Sequence, residues 1–294
     1  METLTIREAA GMLPARPADG HKGTFGHLLV LAGSLGMTGA AQLVCEGAYR
    51  AGVGLVTLGA PEQLSGTLTP ALLETMHIPL PGIAPGAFSG EAAATALKAA
   101  EMRTAVVMGP GVGQRDATAE FVREVARRCR RPMVIDADAL NILAASDCDA
   151  GAGAAPRILT PHPGEMARLA KQSTAEVQAD REECARRFAG EWNVVLVLKG
   201  RRTVIAAPDG RGAVNPTGDT ALAKGGTGDI LAGVIGGLAA QGCDPFNAAC
   251  LAAYIHGLAG EIAAAELTAR AVMARDVLGA LPRAWKQLEA EATP

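Results

Sequence analysis

A chain of 294 residues is long enough for one large α/β domain or two ordinary ones, and 49% hydrophobic with 19% charged residues argues against large-scale disorder. The formal charge of −3 gives no attraction to a nucleic-acid backbone, so we expect no nucleic-acid partner. Because only 3% of the residues are aromatic, Ala, Val, Ile and Leu must form the core, as in helices packed on a parallel sheet.

Strand and helix patterns alternate along the chain after a short helical lead and a loop with two prolines. The predicted strands are 27–32, 53–58, 105–108, 133–135, 157–159, 194–198 and 203–207. The predicted helices are 39–51, 118–130, 228–241, 245–265 and 271–288. Residues 79–87 are predicted to be a loop, and the last two strands to form a hairpin at a sheet edge.

The order of these elements predicts one three-layer α/β domain over residues 1–294, with a mostly parallel central sheet flanked by helices. No Pro-, Gly- or Ser-rich linker and no fixed repeat divides the chain. The amino terminus is charged where a secretory leader needs an apolar core, and the apolar run 230–240 is far short of the ~20 residues of a membrane span. We therefore expect a cytoplasmic protein without a membrane partner.

The cysteines form no CxxC pair and no metal-ligand spacing with the histidines, which favours reduced thiols. The six are Cys45, Cys129, Cys148, Cys184, Cys243 and Cys250.

Polar and glycine-rich segments follow several predicted strands, and ligands of open parallel sheets bind beyond the carboxyl ends of the strands. These segments are 33–41, 109–113, 136–141, 160–165 and 199–203, with GGTGD at 225–229 as a sixth wall. No GxxxxGK[ST] occurs, and GPGVG at 109–113 lacks the spacing and downstream acid of a dinucleotide fingerprint. A Walker-type ATPase and an ordinary dehydrogenase are therefore disfavoured.

The GGTGD segment can bind an anion, because backbone N–H groups converge at a helix start and the helix dipole adds positive potential. Asp229 follows in the first helical turn, where the dipole should hold it ionised. It could accept a proton from a hydroxyl that attacks a phosphoryl group, or stabilise a developing cation. Alternatively, Asp229 is only an N-cap and the glycines only permit close packing.

Other predicted strand ends carry candidate site residues with more than one possible role. His162 could donate a hydrogen bond to a substrate, and Glu165 could organise water around Mg²⁺ or serve as the first-turn acid of a helix that begins at Pro163. Asp136 and Asp138 could face a ligand, or Asp138 could cap the next helix.

The segment 199–203 suits nucleotide phosphates or ribose, or it is a solvated hairpin turn. Phe25 could stack on a flat ring or pack in the core.

In this order the motifs resemble the ADP- or ATP-dependent NAD(P)H-hydrate dehydratase family, a branch of the ribokinase-like superfamily. The match covers nearly the whole chain through HKGTFGHLLVLAGSLGMTGAA, GVGLVTLG, MGPGVGQ, VIDADALNIL, ILTPHPGE, VLKGRRTVI and NPTGDTALAKGGTGDILAGVIGGL. GGTGD alone is shared broadly among ribokinase-like enzymes. TPHPGE, together with the lysine-glycine and GSLGMTGAA segments, is far more specific.

The resemblance implies a carbon-oxygen lyase that dehydrates the S-epimer of NAD(P)H hydrate and restores NAD(P)H. It implies phosphorylation of the hydrate hydroxyl and elimination of phosphate, with Mg²⁺ and with ADP or ATP as co-substrate. We expect ADP, which the standalone bacterial-type members use. The alternatives are an ATP-dependent small-molecule kinase of the same superfamily, such as a vitamin-precursor kinase, and a non-catalytic nucleotide-binding protein.

Residue by residue, the resemblance implies Asp229 as the catalytic base and as a substrate contact. Ala40, Gly113 and His162 match positions that line the hydrate site. The implied nucleotide-binding residues are Lys199, Gly200, Arg201, Arg202, Thr203, Gly225, Gly226, Thr227 and Gly228.

The sequence departs from the family pattern at two positions. Asp219 stands where asparagine is usual and adds a charge near the nucleotide side, and Gly20 precedes His21 where serine is common. The dehydratase motifs begin within the first 22 residues. We therefore expect the epimerase that many relatives carry to be a separate chain. The resemblance further suggests a homotetramer.

Overall fold

A sheet of ten strands runs through the computed structural model, which describes residues 1–146 and 155–292. Together with the separate β5–β6 ribbon, the strands are β1 (Glu2–Thr3), β2 (His27–Leu31), β3 (Leu55–Pro61), β4 (Met76–Leu80), β5 (Gly82–Ile83), β6 (Ala87–Phe88), β7 (Ala105–Met108), β8 (Met133–Ile135), β9 (Arg157–Leu159), β10 (Val195–Leu198), β11 (Val204–Ala206) and β12 (Gly212–Val214). The helices are α1 (Ile6–Gly11), α2 (Thr38–Arg50), α3 (Ser65–Leu68), α4 (Ala92–Glu101), α5 (Asp116–Arg128), α6 (Asp138–Ala144), α7 (Pro163–Ala170), α8 (Thr174–Ala179), α9 (Arg181–Glu191), α10 (Thr227–Ala240), α11 (Pro245–Leu267) and α12 (Ala274–Ala292).

The strand order is β1-β12-β11-β10-β9-β8-β7-β2-β3-β4, and every pair from β10 to β4 is parallel. The central strands are apolar along their whole length because helices cover both faces of the sheet. The predicted three-layer α/β fold with a mostly parallel sheet is confirmed. The carboxyl ends of β7 to β10 consequently lie side by side at one edge of the molecule.

Two sequence predictions about this sheet are wrong in part. Strands β10 and β11 do form an antiparallel hairpin, but β12 and β1 extend the sheet beyond it, so the hairpin is not at the edge. The expected loop 79–87 contains the end of β4 and both strands of the β5–β6 ribbon. Pro79 concealed β4 because proline lacks an N–H donor, which is tolerated on an edge strand such as this one.

Helix α10 packs on α2 and on the sheet at backbone distance. A Cβ atom on Gly233 would lie 2.2 Å from the carbonyl oxygen of Val44, and one on Gly236 would lie 2.2 Å from a methyl group of Val107. On the α2 side, a Cβ on Gly47 would lie 2.8 Å from the carbonyl oxygen of Ile230. These glycines therefore let the two helices and the sheet approach more closely than side chains would permit.

Helix α11 is the one helix within the described residues that is long and apolar enough to cross a membrane, and 72% of its apolar window is buried inside the structure. This burial is what a core helix of the three-layer fold requires. The cysteines Cys45, Cys129, Cys184, Cys243 and Cys250 are free thiols, as predicted, and Cys148 lies outside the described residues.

The glycine packing predicts opposite effects for two Gly→Ala substitutions in helices. Gly233→Ala should destabilise the protein by about 1–3 kcal/mol, because the added methyl group overlaps the α2 backbone. Gly279→Ala, in α12 with no atom within 4 Å of the added methyl, should be neutral or stabilising by up to about 1 kcal/mol. Urea unfolding of both variants measures the difference, and equal stabilities would contradict the packing described.

Candidate active site

The amino terminus of α10 lies at the carboxyl ends of the parallel strands. The helix begins at Thr227 after Gly226, whose φ of 93° lies in the left-handed region that glycine adopts without strain. The hydroxyl of Thr227 donates to the carbonyl oxygens of Leu222 (2.8 Å) and Lys224 (3.0 Å) and so fixes the turn before the helix. The first N–H groups of α10 have no intrahelical acceptor, which is the arrangement that the predicted anion site requires.

A buried ion pair lies beside this helix start. The Nζ atom of Lys199 lies 2.8 Å from Oδ1 of Asp136 and 3.9 Å from Oε2 of Glu165. The side chains of these two acids are only 1% and 6% exposed, whereas that of Lys199 is 19% exposed. Burial alone would lower the pKa of Lys199, but the two carboxylates outweigh it and raise that pKa, so the ammonium stays charged.

Asp229 is the acid next to this pair, and it is not held in the ionised form that the helix dipole led us to expect. Its pKa is raised to about 7 by burial, then by repulsion from Asp136 and, more weakly, Asp138, with Lys199 opposing them in part. Burial and the neighbouring acids therefore affect the pKa of Asp229 more strongly than the helix dipole does. A carboxyl group with a pKa near neutrality can exchange a proton with a reacting hydroxyl at working pH.

His162 and Glu165 lie at the start of α7. Glu165 is the first-turn acid of this helix, as predicted, and its role in organising water around Mg²⁺ stays a prediction. Nδ1 of His162 accepts hydrogen bonds from the N–H groups of Gly164 (3.0 Å) and Glu165 (3.3 Å), while Glu165 accepts from the N–H of His162 (2.8 Å). The helix does begin at Pro163, as the alternative reading predicted. The same carboxylate faces Lys199, and Nε2 of His162, whose side chain is 52% exposed, carries the ring proton.

Asp138 connects the GPGVG loop to the charged cluster. Its carboxylate accepts hydrogen bonds from the N–H of Gly113 (2.9 Å) and from Nε2 of Gln114 (3.0 Å). Its predicted role as the cap of α6 is wrong, because Ala137 is the cap residue and makes no side-chain cap bond. Ala40, at the start of α2, lies against the same loop, 2.9 Å from where a Cβ on Gly111 would be. The structure thus brings Gly113 and Ala40 together at one corner of the site.

A cavity of about 570 Å³ opens on the other side of Lys199. Four members of the predicted nucleotide turn line it, namely Lys199, Gly200, Arg201 and Thr203, together with Thr227 and Gly228 of the helix start. Arg202 does not, because its guanidinium donates to Oγ1 of Thr3 (3.1 Å) and lines a separate cleft. Neither Gly225 nor Gly226 lines the cavity; both shape the turn before α10.

Several cavity residues were not among the predicted site residues, although two of them belong to the NPTGD motif. His256 and Gly257 come from the apolar helix α11, and Asn215 and Thr217 from the segment before the 3-10 turn Thr220–Leu222. Burial lowers the pKa of His256 to about 4, so its imidazole is neutral. Asp219 also lines the cavity, and it caps the 3-10 turn by accepting from the N–H of Ala221 (2.6 Å).

Phe25 lies far from this site, so its proposed stacking on a flat substrate is wrong. A Cβ on the adjacent Gly26 would meet the carbonyl of Ala240, at the carboxyl end of α10. That end is about 16 Å from Asp229 by the rise of a helix. The ring of Phe25 instead packs under the guanidinium of Arg16, 4.1 Å from the ring centroid.

The parallel sheet, the anion-binding helix start and the adjacent acid define the class as a ribokinase-like α/β protein with a nucleotide-sized cavity at the strand ends. The family model described as NAD(P)H-hydrate dehydratase matches residues 28–283. The chain therefore belongs to the NAD(P)H-hydrate dehydratase family, which confirms the resemblance in its motifs.

Individual relatives agree with this assignment. The ADP-dependent (S)-NAD(P)H-hydrate dehydratase of Bacillus subtilis is 39% identical over 97% of this chain and 98% of its own length. The bifunctional NAD(P)H-hydrate repair enzyme of Moorella thermoacetica is 45% identical over 98% of this chain, which spans about half (54%) of that relative. A crystal structure of the Bacillus subtilis ADP/ATP-dependent NAD(P)H-hydrate dehydratase, co-crystallised with ATP/Mg²⁺, superimposes with a TM-score of 0.84 at 37% identity, covering 98% of this chain and 99% of that one.

The raised pKa of Asp229 predicts a pH-dependent effect of its neutralisation. The folded protein binds a proton at Asp229 between the unfolded pKa of 3.8 and about 7, so the contribution of this group to stability falls as the pH rises through that window. Asp229→Asn removes this penalty and should stabilise the protein at pH 8 by on the order of 1–2 kcal/mol, with the gain vanishing towards pH 4. Urea unfolding across this pH range tests it, and a loss of stability at pH 8 would contradict the charge balance described.

Proposed function

We propose that this protein dehydrates the S-epimer of NAD(P)H hydrate to NAD(P)H in an ADP-dependent reaction. The observation that carries the proposal is the position of Asp229 at an anion-binding helix start, between a nucleotide-sized cavity and the Asp138-held loop. Membership of the dehydratase family and the name of the Bacillus subtilis relative support it. Because that relative matches this chain over nearly its full length, the comparison does not depend on the second activity of the bifunctional enzymes.

In the proposed reaction, ADP occupies the 570 Å³ cavity with its terminal phosphoryl group at the start of α10. The hydrate hydroxyl attacks that phosphoryl group, Asp229 takes its proton, and AMP leaves. The C–O bond to the new phosphate then breaks, an adjacent ring carbon loses a proton, and the ring double bond is restored. Phosphate leaves more readily than hydroxide, which is why a kinase-like site can serve a lyase.

The surrounding residues have separate proposed roles. The N–H groups of Thr227, Gly228 and their glycine neighbours, with the Lys199 ammonium, hold the phosphate charge that grows during transfer. Gly200, Arg201 and Thr203 bind the rest of the nucleotide. Arg202 contributes only its backbone, because its side chain is bonded to Thr3.

The hydrate lies against Ala40, Gly113 and His162. Nδ1 of His162 is engaged in the cap, so the exposed side of the ring presents Nε2, which lies 3.5 Å from Oε1 of Glu165 and would donate to the hydrate in place of that long contact.

Mg²⁺ fits this site as an ion held by phosphates and water. Among residues 1–146 and 155–292, no group of three or more His, Cys, Asp or Glu side chains is arranged to hold a metal by itself. Carboxylates such as Glu165, next to a phosphate site, do suit an ion that keeps several waters and takes its other ligands from substrate. The ion would neutralise phosphate charge during transfer.

Further proposals follow from the family relation and from composition. Residues 1–294 form one dehydratase domain, because the first strand, β1, pairs with the last strand, β12, in a single sheet. The protein works in the cytoplasm as a homotetramer.

The test is to incubate the protein and Mg²⁺ with hydrated NADH and either ADP or ATP, and to follow the return of dihydronicotinamide absorbance. We expect recovery that is faster with ADP. Asp229→Asn should lower kcat by on the order of 100- to 10,000-fold while nucleotide binding survives.

Asp116→Asn makes the same chemical change on an exposed helix start and should leave kcat unchanged. No recovery with either nucleotide would overturn the proposed function. Full activity of Asp229→Asn would overturn the assigned role of Asp229.

A further inference from the structure

Arg181 is the first residue of α9, and its side chain binds one turn of backbone. Its Nη1 donates to the carbonyl oxygens of Arg201 (2.6 Å) and Arg202 (3.3 Å). Its Nη2 donates to those of Leu198 (2.8 Å) and Lys199 (3.2 Å). One guanidinium therefore contacts four of the carbonyls in the turn between β10 and β11.

These four bonds determine where the N–H groups of the turn point. In a planar trans peptide the C=O and the following N–H point in opposite directions, so the N–H groups of residues 199, 200, 202 and 203 are directed away from Arg181. The N–H of Lys199 donates to the carbonyl oxygen of Pro161 (2.9 Å). For the N–H groups of Gly200, Arg202 and Thr203, the described part of the chain provides no acceptor.

The turn separates Arg181 from the 570 Å³ cavity. Gly200 and Thr203 line that cavity, whereas Arg181 and Arg202 line a cleft of about 510 Å³ on the other side. Unpaired N–H groups directed towards a cavity make an anion-binding concavity, and those of Gly200 and Thr203, which line the cavity, can bind phosphate oxygens.

The backbone of the turn needs support to keep this shape. Arg202 has a φ of 57°, in the left-handed region that side chains disfavour, and Gly200 has a φ of 144°. A Cβ on Gly200 would lie 3.0 Å from Nη2 of Arg181, so the guanidinium packs directly on the glycine. Without the Arg181 bonds, nothing in the described contacts of these carbonyls would hold all four on the same side.

We infer that Arg181 is a positioning residue that directs the N–H groups of the 199–203 turn at the phosphates of the bound nucleotide. It does so from behind the turn without touching the nucleotide. The inference rests on the proposed function and names a residue that determines the affinity of the same site for its anionic co-substrate.

The test compares Arg181→Met and Arg181→Lys with Arg186→Met. Arg186 is on the same helix and lines the same cleft, but its partner is Glu183 in an exposed ion pair (2.7 Å), so the control makes the same change of charge without removing a bond to the turn. Calorimetric titration with ADP and Mg²⁺, and separately with adenosine, measures affinity. Assays with hydrated NADH measure KM for ADP, KM for the hydrate and kcat.

We expect Arg181→Met to weaken ADP binding about tenfold or more, because preorganisation of several charge-assisted hydrogen bonds is lost. KM for ADP should rise with it, while adenosine affinity, KM for the hydrate and kcat at saturating ADP change little. Arg181→Lys keeps the charge and some carbonyl contacts, so it should recover part of the ADP affinity. It also replaces Arg181→Met as the test variant if the Met protein does not fold. Arg186→Met should match the wild type.

Wild-type ADP affinity in both Arg181 variants would overturn the inference, as would an equal loss for adenosine or no ADP binding by the wild-type protein. If the wild type binds ADP but does not dehydrate the hydrate, the proposed function fails while the binding data still decide the role of Arg181. If the wild type is active and the Arg181 variants bind ADP normally, only the inference fails.

Discussion

The buried ion pair between Lys199 and Asp136 is the interaction on which the site depends. It joins the carboxyl ends of β8 and β10, and Glu165 brings the start of α7 to the same ammonium. Removing one partner of such a pair leaves an uncompensated buried charge and typically costs about 3–5 kcal/mol. Because a single cation lies among several acids, the cluster keeps an excess of negative charge, and a proton on Asp229 relieves it.

The packing of α10 connects this electrostatic arrangement to the fold. Glycines on both sides of the α2–α10 contact let α10 lie against α2 and the sheet at backbone distance. The first turn of the helix is thereby held against the strand ends. A Cβ atom on Gly228 would lie only 3.5 Å from the Lys199 ammonium. A bulkier helix would lie further out, and its dipole and first N–H groups would no longer face the same phosphate as Lys199.

The sheet, the strand ends and the position of Asp229 in the first turn of a helix could be predicted because each depends on a local pattern. Apolar runs indicate the strands, and a glycine cluster followed by an acid indicates the helix start. The raised pKa of Asp229 was not predictable, since it arises first from burial in the folded protein and then from Asp136 and Asp138, about ninety residues away in the chain. Phe25 was misplaced although it precedes β2 in the chain, which puts it at the amino end of a parallel strand, opposite to the carboxyl ends where the site forms. Arg181 and His256 carry no local signal, because the first acts through backbone carbonyls and the second lies within an apolar helix.

The central claim is that burial and the neighbouring acids raise the pKa of Asp229 to about 7 in the ligand-free protein. Titration of its carboxyl carbon by NMR, assigned through the Asp229→Asn variant, measures this directly. The structure predicts a midpoint near 7 for Asp229. A midpoint near the ordinary aspartate value of about 4 would contradict the account, because burial and the neighbouring acids would then have no net effect on the pKa of Asp229.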